Sequence, residues 1–429
     1  MKKTLSITLC LFLSLSVLDA QIDMQAHVAS DDGAAAYSAY KAKQADYYTG
    51  DYAYGNLCQN DGETLFHLLN TLMGNTCRTD GYGLSYNTLR YAYGAVDSDL
   101  NSPSNFIAFY SGTSADATWD SGSTWNREHV WPQSKGAKTS SPMGYDMLSV
   151  RPALTKDNST RGNDGYGEGS GFYDPDELAI KNPYYKRTNN GTYRGDCARI
   201  ILYDYLVYGE MNGYKNDLYN GKAQLLDKLG NSEAVFESLA ILFKWHMQDP
   251  PSLTEIVRND GGQDYQGNRN PFIDYPELAL LMLKNEITTY EVTTNMIMQP
   301  AHRLTTQDGF VAYLGKPDGS HPKTIAVSGA GFNYDPNTGR LTLGNVTDNV
   351  SILTDEITSL EQYRQPLQIT VSGNTVTLHD LHDTPLTIYS LSGMTIYEQP
   401  CAGGDLTLQL PQGLYVVRAG NLTDKIIVL

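Results

Sequence analysis

A carboxylate and an imidazole stand side by side in the segment WNREHVWPQS, residues 125–134, as Glu128 and His129. Histidine has a pKa near neutrality, so His129 could take a proton from an attacking water. Glu128 and the amide oxygen of a downstream asparagine could hold a hard divalent cation that keeps several water ligands. Such a cation stabilises the negative charge that develops on a phosphate during hydrolysis. These residue types predict a metal-dependent site that cleaves a phosphodiester bond.

Basic side chains are concentrated around this pair, although the chain as a whole is acidic. Residues 125–163 contain six lysines or arginines and three acids, a local balance of +3, whereas the whole chain carries −17. A protein that binds nucleic acid through its overall charge should be basic. The composition therefore argues against such a binder, and against a membrane-surface protein held by a basic face. A local basic site that contacts phosphate is compatible with it.

The sequence resembles the endonuclease I family of secreted, non-specific bacterial nucleases, which use a ββα-metal site. The matching segments follow the family's order across residues 50–285, and their number and order carry the resemblance. They are NREHVWP (126–132), DMLSVRP (146–152), NSTRGN (158–163), RGDCAR (194–199), WHMQDPP (245–251), RN (258–259) and QGNRNPFID (266–274).

The resemblance implies a role for each residue of the site. His129 would be the general base, and Glu128 and Asn158 would bind the metal, with Asn163 as a competitor for the second position. Mg²⁺ is the expected metal, and Mn²⁺ and Ca²⁺ are alternatives. A water activated by His129 would attack phosphorus in line and leave 5′-phosphate products. DNA is the expected substrate, and RNA is a second one.

The family also uses an arginine beside the product phosphate, and Lys135, Lys138 and Arg151 all lie in the right window. We predict Arg151 for this catalytic role and a set of other basic residues as substrate contacts. That set is Arg127, Lys135, Arg161, Arg194, Arg199 and Arg269. For Arg194 and Arg199 an internal ion-pair network is an equally good interpretation. For Arg269 a structural role behind the site is favoured over direct contact with DNA.

The sequence predicts an α+β fold with several parts. Residues 1–20 are typical of a signal peptide, with Lys2 and Lys3 before an apolar run and Ala20 at the expected cleavage position. Residues 21–50 form a loose leader, and residues 51–295 form a mainly helical nuclease domain that contains the ββα-metal site. Residues 296–365 are a spacer or small β region without an assigned role. Alternating apolar residues in 366–429 predict a small all-β sandwich.

This last segment resembles the sorting domains of the type IX secretion system. The matching features are LTIYSLSGMTIYE (386–398), LPQGLYVVRAG (410–420) and the terminal KIIVL. With the signal segment, the resemblance implies export through the periplasm, by type IX machinery, to a secreted or surface-attached state. After the signal no apolar run reaches eighteen residues, so no integral membrane segment is expected. The mature chain is expected to be a monomer.

Two choices stay open at this level. The alternative function is a cell-surface binding protein that retains a catalytically inactive nuclease scaffold, and the intact Glu128 and His129 argue against it. Trp125 and Trp131 could stack on bases, but core packing is at least as good an interpretation.

Overall fold

The computed structural model describes residues 40–77, 84–176, 193–208, 234–316, 319–356, 367–390, 394–419 and 422–428. The predicted signal, residues 1–20, and the leader up to residue 39 lie outside these ranges. The chain forms two compact units, one ending at Thr358 and the other beginning at Ser359. Each unit is described by itself.

Most helices of the first unit contribute to one large apolar core, and several others contribute to smaller clusters. The helices are α1 (Tyr54–Leu57), α2 (Gly62–Thr76), α3 (Tyr86–Leu89), α4 (Tyr93–Val96), α5 (Thr155–Arg161), α6 (Arg194–Tyr208), α7 (Leu239–Gln248), α8 (Leu253–Gln266), α9 (Pro271–Asp274) and α10 (Glu277–Leu283). Helix α6 is at the centre of this core, because almost all of its residues are buried. Within the described ranges, no helix is both long and apolar enough to cross a bilayer.

Local chemistry explains where these helices begin. The apolar residues of 233–247 suggest one long helix, but α7 begins only at Leu239, because the Ser238 side chain accepts a hydrogen bond from the Ile241 amide. Helix α8 begins with a reciprocal pair of bonds between Ser252 and Glu255, the capping-box arrangement.

The prediction of a mainly helical nuclease domain is wrong, since strands occupy much of the first unit. They are β1 (Ser98–Asp99), β2 (Ser102–Ile107), β3 (Ser114–Asp116), β4 (Trp125–His129), β5 (Val150–Leu154), β6 (Tyr290–Thr294), β7 (Ile297–Gln299), β8 (Leu304–Thr305), β9 (Val311–Gly315), β10 (Ala326–Ser328), β11 (Gly331–Asp335), β12 (Arg340–Gly344) and β13 (Val350–Leu353). The early strands are short and separated by polar turns, so their alternation was hidden within loop-like sequence.

Strands β4 and β5 form an antiparallel pair that leads directly into α5. Their register places Glu128 opposite Arg151 and His129 opposite Val150. The chain then enters α5 at Thr155 without a loop. This strand–strand–helix unit brings residues 126–129 and residue 158 to one place, although a long loop separates them in sequence.

Residues 290–353, mostly the segment without an assigned role, form two four-stranded sheets. Their strand orders are β10-β13-β6-β8 and β11-β12-β9-β7. Phe310, Leu341 and Ile352 belong to the same apolar cluster as Leu65 and Ile201 of the helical part. This segment is therefore packed into the first unit and does not act as a spacer between separate cores.

The second unit is a sheet of five strands, consistent with the predicted all-β segment. They are β14 (Gln368–Ser372), β15 (Thr375–Ser390), β16 (Thr395–Gln409), β17 (Gly413–Ala419) and β18 (Leu422–Val428). Strand β15 pairs with β14 over its first residues and with β17 over its last, and it runs beside β16 for most of its length. The apolar side chains of the second unit form a separate core that includes Leu378, Leu386 and Val417.

Candidate active site

The predicted base and metal ligands lie in one open pocket of the first unit. The pocket is lined by Tyr86, Asn126, Arg127, Glu128, His129, Pro132, Gln133, Asn158, Gly162 and Asn163. Strand β4 contributes the central residues, and α5 contributes Asn158. The structure thus brings together residues from three separate stretches of the chain.

Two contacts fix the ring of His129, which is 5% exposed. Its Nε2 atom lies 3.0 Å from the carbonyl oxygen of Gly144, and its Nδ1 atom lies 3.1 Å from the Gln133 side-chain nitrogen. A carbonyl oxygen can only accept, so Nε2 carries the proton and Nδ1 has the lone pair. Burial lowers the pKa of His129 to about 4. The ring is therefore neutral near pH 7 and can accept a proton at Nδ1.

The residue whose carbonyl oxygen contacts His129 must be a glycine. A Cβ atom added to Gly144 would collide with the backbone carbonyl of Lys138. The absence of a side chain lets the two backbone segments approach closely and so places the Gly144 carbonyl against the imidazole.

The Glu128 carboxylate is buried and held from behind. Its Oε1 atom accepts a hydrogen bond of 2.7 Å from the Tyr110 hydroxyl and lies 3.2 Å from Nε of Arg161. The Tyr110 hydroxyl is also 2.7 Å from that of Tyr166. Burial raises the pKa of Glu128, and Arg161 and Tyr110 oppose that shift. Both contacts orient the carboxylate, and both favour its charged form.

Tyr110, which donates the hydrogen bond to Glu128, has an unusual backbone conformation. Tyr110 has a φ of 71°, in the left-handed region that side chains rarely adopt. Strained conformations of this kind persist where the surrounding packing enforces them, and Tyr110 is almost fully buried. This turn follows β2 and points the ring toward β4.

Amide side chains complete the polar lining. The Asn158 side-chain nitrogen donates to the Asn126 side-chain oxygen at 2.6 Å. That bond uses the nitrogen end of Asn158 and leaves its oxygen for another partner. Asn163, the competitor in the sequence, also lines the pocket.

This donor set fits a hard, hydrated divalent cation. One buried carboxylate and neighbouring amide oxygens are the ligand types of Mg²⁺, which keeps most of its waters. In the part of the chain that the structure describes, no three histidine, cysteine or acidic side chains cluster as metal ligands. A tetrahedral zinc site would need three or four such ligands. Glu128 and Asn158 are the residues that would hold the ion.

The predicted substrate contacts divide into distinct groups. Arg127 lines the pocket. Lys135 lies in the turn that follows β4, where the Lys135 carbonyl accepts a hydrogen bond of 3.0 Å from the Trp131 indole N–H. Arg161 is 1% exposed and lies behind Glu128 rather than beside an incoming strand. Arg194 is half-buried at the start of α6 and donates to Asp174 at 3.1 Å.

Arg151, Arg199 and Arg269 are buried in ion pairs and do not line the pocket. Arg151 donates to Asp97 at 3.0 Å, and Arg199 donates to Glu255 at 2.6 and 2.7 Å. Arg269 holds Asp274 through two bonds of 2.9 Å. Each guanidinium is buried and already has a carboxylate partner, so the structure gives these arginines an internal role. For Arg151 this differs from the predicted catalytic position.

Several residues of the site were not predicted from the sequence. Gln133 follows His129 by four residues, and Asn126 alternates with Glu128 on β4, so both carried a weak local signal. Tyr86 and Tyr110 carried none, because only the fold brings their distant segments to the pocket. Trp125 and Trp131 are fully buried, which supports core packing for both.

Comparison with known proteins places this site in a family. The endonuclease I family model matches residues 85–277. An extracellular ribonuclease of Bacillus amyloliquefaciens is 37% identical over 204 residues, which cover 46% of this chain and 67% of the relative. The chain belongs to the endonuclease I family. A second extracellular ribonuclease, from Bacillus subtilis (strain 168), is 35% identical over 204 residues, with the same coverage.

Membership in the endonuclease I family makes this protein a nuclease. The matched residues include the whole pocket and end at the start of α10. The sheets of residues 290–353 and the second unit lie outside the match.

Proposed function

We propose that this protein is a secreted, metal-dependent endonuclease that hydrolyses phosphodiester bonds without base specificity. The observation that carries the proposal is the neutral His129 imidazole, with its Nδ1 lone pair in the same pocket as the Glu128 carboxylate. A base and an oxygen-ligand site side by side are what phosphodiester hydrolysis requires.

The residues of the pocket have distinct tasks in this mechanism. His129 accepts the proton of the attacking water at Nδ1, while the Gly144 carbonyl holds Nε2–H and stabilises the imidazolium that forms. Gln133 is within hydrogen-bond distance of Nδ1 in the resting site, and the incoming water replaces it. In-line attack on phosphorus breaks its bond to the 3′-oxygen, which takes up a proton from solvent water, and leaves a 5′-phosphate.

A bound divalent cation would supply charge stabilisation to the phosphate oxygens in the transition state. Glu128 and Asn158 would hold it, and Tyr110 and Arg161 keep the Glu128 carboxylate oriented for it. Mg²⁺ is the proposed ion, with Mn²⁺ and Ca²⁺ as alternatives.

The proposed substrates are both DNA and RNA. The relatives are named extracellular ribonucleases, which supports RNA, and the pocket groups are suited to phosphate rather than to base edges. The same names, together with the signal-like segment, support secretion. Export by type IX machinery rests on the sequence resemblance of the second unit.

The test uses the mature chain, from residue 21, with supercoiled plasmid and with single-stranded RNA. We expect Mg²⁺-dependent cleavage of both that EDTA abolishes, 5′-phosphate ends, and no cleavage by Glu128→Ala. Glu291→Ala, an exposed glutamate on β6, is the matched control and should remain active. If wild-type protein cleaves neither substrate with Mg²⁺, Mn²⁺ or Ca²⁺, the endonuclease proposal fails and the binding-scaffold alternative takes its place.

A further inference from the structure

A track of alternating arginine and aromatic side chains leads from the pocket to the surface. The Arg127 guanidinium lies 3.7 Å from the centre of the Tyr86 ring and 4.9 Å from that of Trp119. Arg90 lies 5.6 Å from the Trp119 ring and 4.9 Å from the Tyr91 ring. Tyr86 in turn lies 5.3 Å from the His129 imidazole. The track therefore begins at the catalytic base and ends at Tyr91.

The two arginines of this track differ from the other arginines near the site. Arg151, Arg199 and Arg269 all face buried carboxylates at 3.0 Å or less. For Arg90 and Arg127, the described residues provide no ion pair. Their guanidinium groups contact ring faces, the Tyr91 hydroxyl and the Tyr86 carbonyl. Within the described part of the chain no carboxylate neutralises either charge, so both are available to an anion.

The loop beneath the track also leaves these charges free. Its carboxylates, Asp116 and Asp120, accept hydrogen bonds from amides of their own loop, at Thr118, Ser123 and Thr124. They are therefore engaged by the backbone and form no ion pair with Arg90 or Arg127.

The outer end of the track is an exposed aromatic face. Tyr91 is 73% exposed, more than any other large apolar side chain in the described ranges. The Arg90 guanidinium packs against the Tyr91 ring and donates a hydrogen bond of 2.9 Å to the Tyr91 hydroxyl. A rigid, exposed ring beside an unpaired cation suits a nucleotide, whose base stacks while its phosphate meets the charge.

We propose that Arg90, Tyr91, Trp119 and Arg127 form a binding subsite for nucleotides that flank the scissile phosphate of a single strand. The occupant is a single strand because stacking on Tyr91 requires an unpaired base, which a duplex keeps inside its own stack. The inference rests on the proposed endonuclease function and adds to it a preference for single-stranded substrate.

The test compares a single-stranded oligonucleotide of twelve residues, a duplex of the same sequence, and bis(4-nitrophenyl) phosphate, which is too small to extend from the pocket to Arg90 and Tyr91. The variants are Tyr91→Ala and Arg90→Gln, and each is measured for KM and kcat on all three substrates. Phe332→Ala on β11 and Arg340→Gln on β12, both at exposed positions, are the matched controls and should behave as wild type.

We expect Tyr91→Ala to raise KM for the single strand by about 5- to 100-fold, the range for loss of one stacked base. The preference of the wild type for the single strand over the duplex should shrink by the same factor. If KM of Tyr91→Ala for the single strand is unchanged, the subsite proposal is wrong. Cleavage of the small diester by the wild type would then still support the nuclease site, so the two proposals fail separately. An equal rise for the duplex would also overturn the subsite proposal, since the track would then read phosphate alone.

Discussion

The Nε2 atom of His129 lies 3.0 Å from the backbone oxygen of Gly144, and this contact decides which ring nitrogen can accept a proton. Because the carbonyl is only an acceptor, the proton stays on Nε2 and the lone pair on Nδ1. The proposed general base is thus oriented by a backbone group 15 residues away in sequence.

Replacing this base tests its role directly. We expect His129→Ala to lower kcat by about 10²- to 10⁴-fold, the usual contribution of a general base. The variant should stay folded at the assay temperature, although the loss of a buried ring lowers its free energy of unfolding. Plasmid nicking rates and urea unfolding measure the two quantities. His321→Ala, which removes a histidine from the loop between β9 and β10, should leave nicking unchanged. A His129→Ala enzyme with wild-type kcat would remove the residue from the mechanism.

The Tyr110 hydroxyl should set the affinity for the metal ion. Tyr110→Phe deletes only the oxygen that donates to Glu128 at 2.7 Å, so the carboxylate loses an orienting bond and its charged form is less favoured. We expect Mg²⁺ to bind about 10- to 100-fold more weakly, as measured by calorimetry on the full chain. Tyr173→Phe is the matched control, because its buried hydroxyl has no hydrogen-bond partner in the described structure. Equal Mg²⁺ affinity in the two variants would contradict the prediction.

Asp97 should matter for stability rather than for catalysis. Its Oδ1 atom accepts from Arg151 at 3.0 Å and from Arg258 at 2.8 Å, so Asp97→Asn leaves two buried cations short of a counter-charge. We expect a loss of about 3–5 kcal/mol in the free energy of unfolding, measured in urea. Asp264→Asn breaks an exposed pair with Lys43 and should cost less than about 1 kcal/mol.

The same network tests the sequence-based role of Arg151. If Arg151 contacted the product phosphate, Arg151→Met would change kcat at unchanged stability. The structure leads us to expect the reverse, with lower stability and a nearly unchanged KM at a temperature where the variant stays folded.

The buried His302 should make the first unit sensitive to acid. Burial lowers its pKa to about 3, whereas an unfolded chain has a histidine pKa of about 6.5. Between these values the unfolded chain binds more protons, so this contribution is complete above pH 6.5 and is lost as the pH falls toward 3. Asp196, whose pKa burial raises to about 7, acts in the opposite direction and is common to wild type and variant.

His302→Phe, with a ring that can still stack on Phe310, removes this titration. Below pH 6.5 the slope of unfolding free energy against pH should then decrease by up to about 1.4 kcal/mol per pH unit. Urea unfolding from pH 4 to 8 measures it. Phe332→Ala, at an exposed position without a titratable group, should leave the slope as it is. Parallel wild-type and His302→Phe curves would show that His302 does not titrate on unfolding.

Neighbouring residues in the sequence were enough to find the centre of the site. Glu128 and His129 are adjacent in the sequence, which placed a carboxylate near an imidazole. Successive residues of a strand point to opposite faces, and only the structure shows that both line one pocket. Apolar residues at helical spacing over 64–72, an apolar run over 197–209 and a leading proline in 276–286 predict the helices found as α2, α6 and α10. Residues 105–110 are typical of a short strand and overlap β2, whereas the other strands of residues 98–154 are too short to show their alternation among polar turns.

Only the tertiary structure separated the basic residues that can reach a substrate from those that cannot. In sequence, Arg127 and Arg151 are equally plausible phosphate contacts. Arg151 meets Asp97 across 54 residues, and Arg127 meets aromatic rings instead. Whether a cation is neutralised inside the protein depends on which distant segments the fold brings against it. The sequence by itself thus determined what chemistry is present, and the fold determined which charges remain available for it.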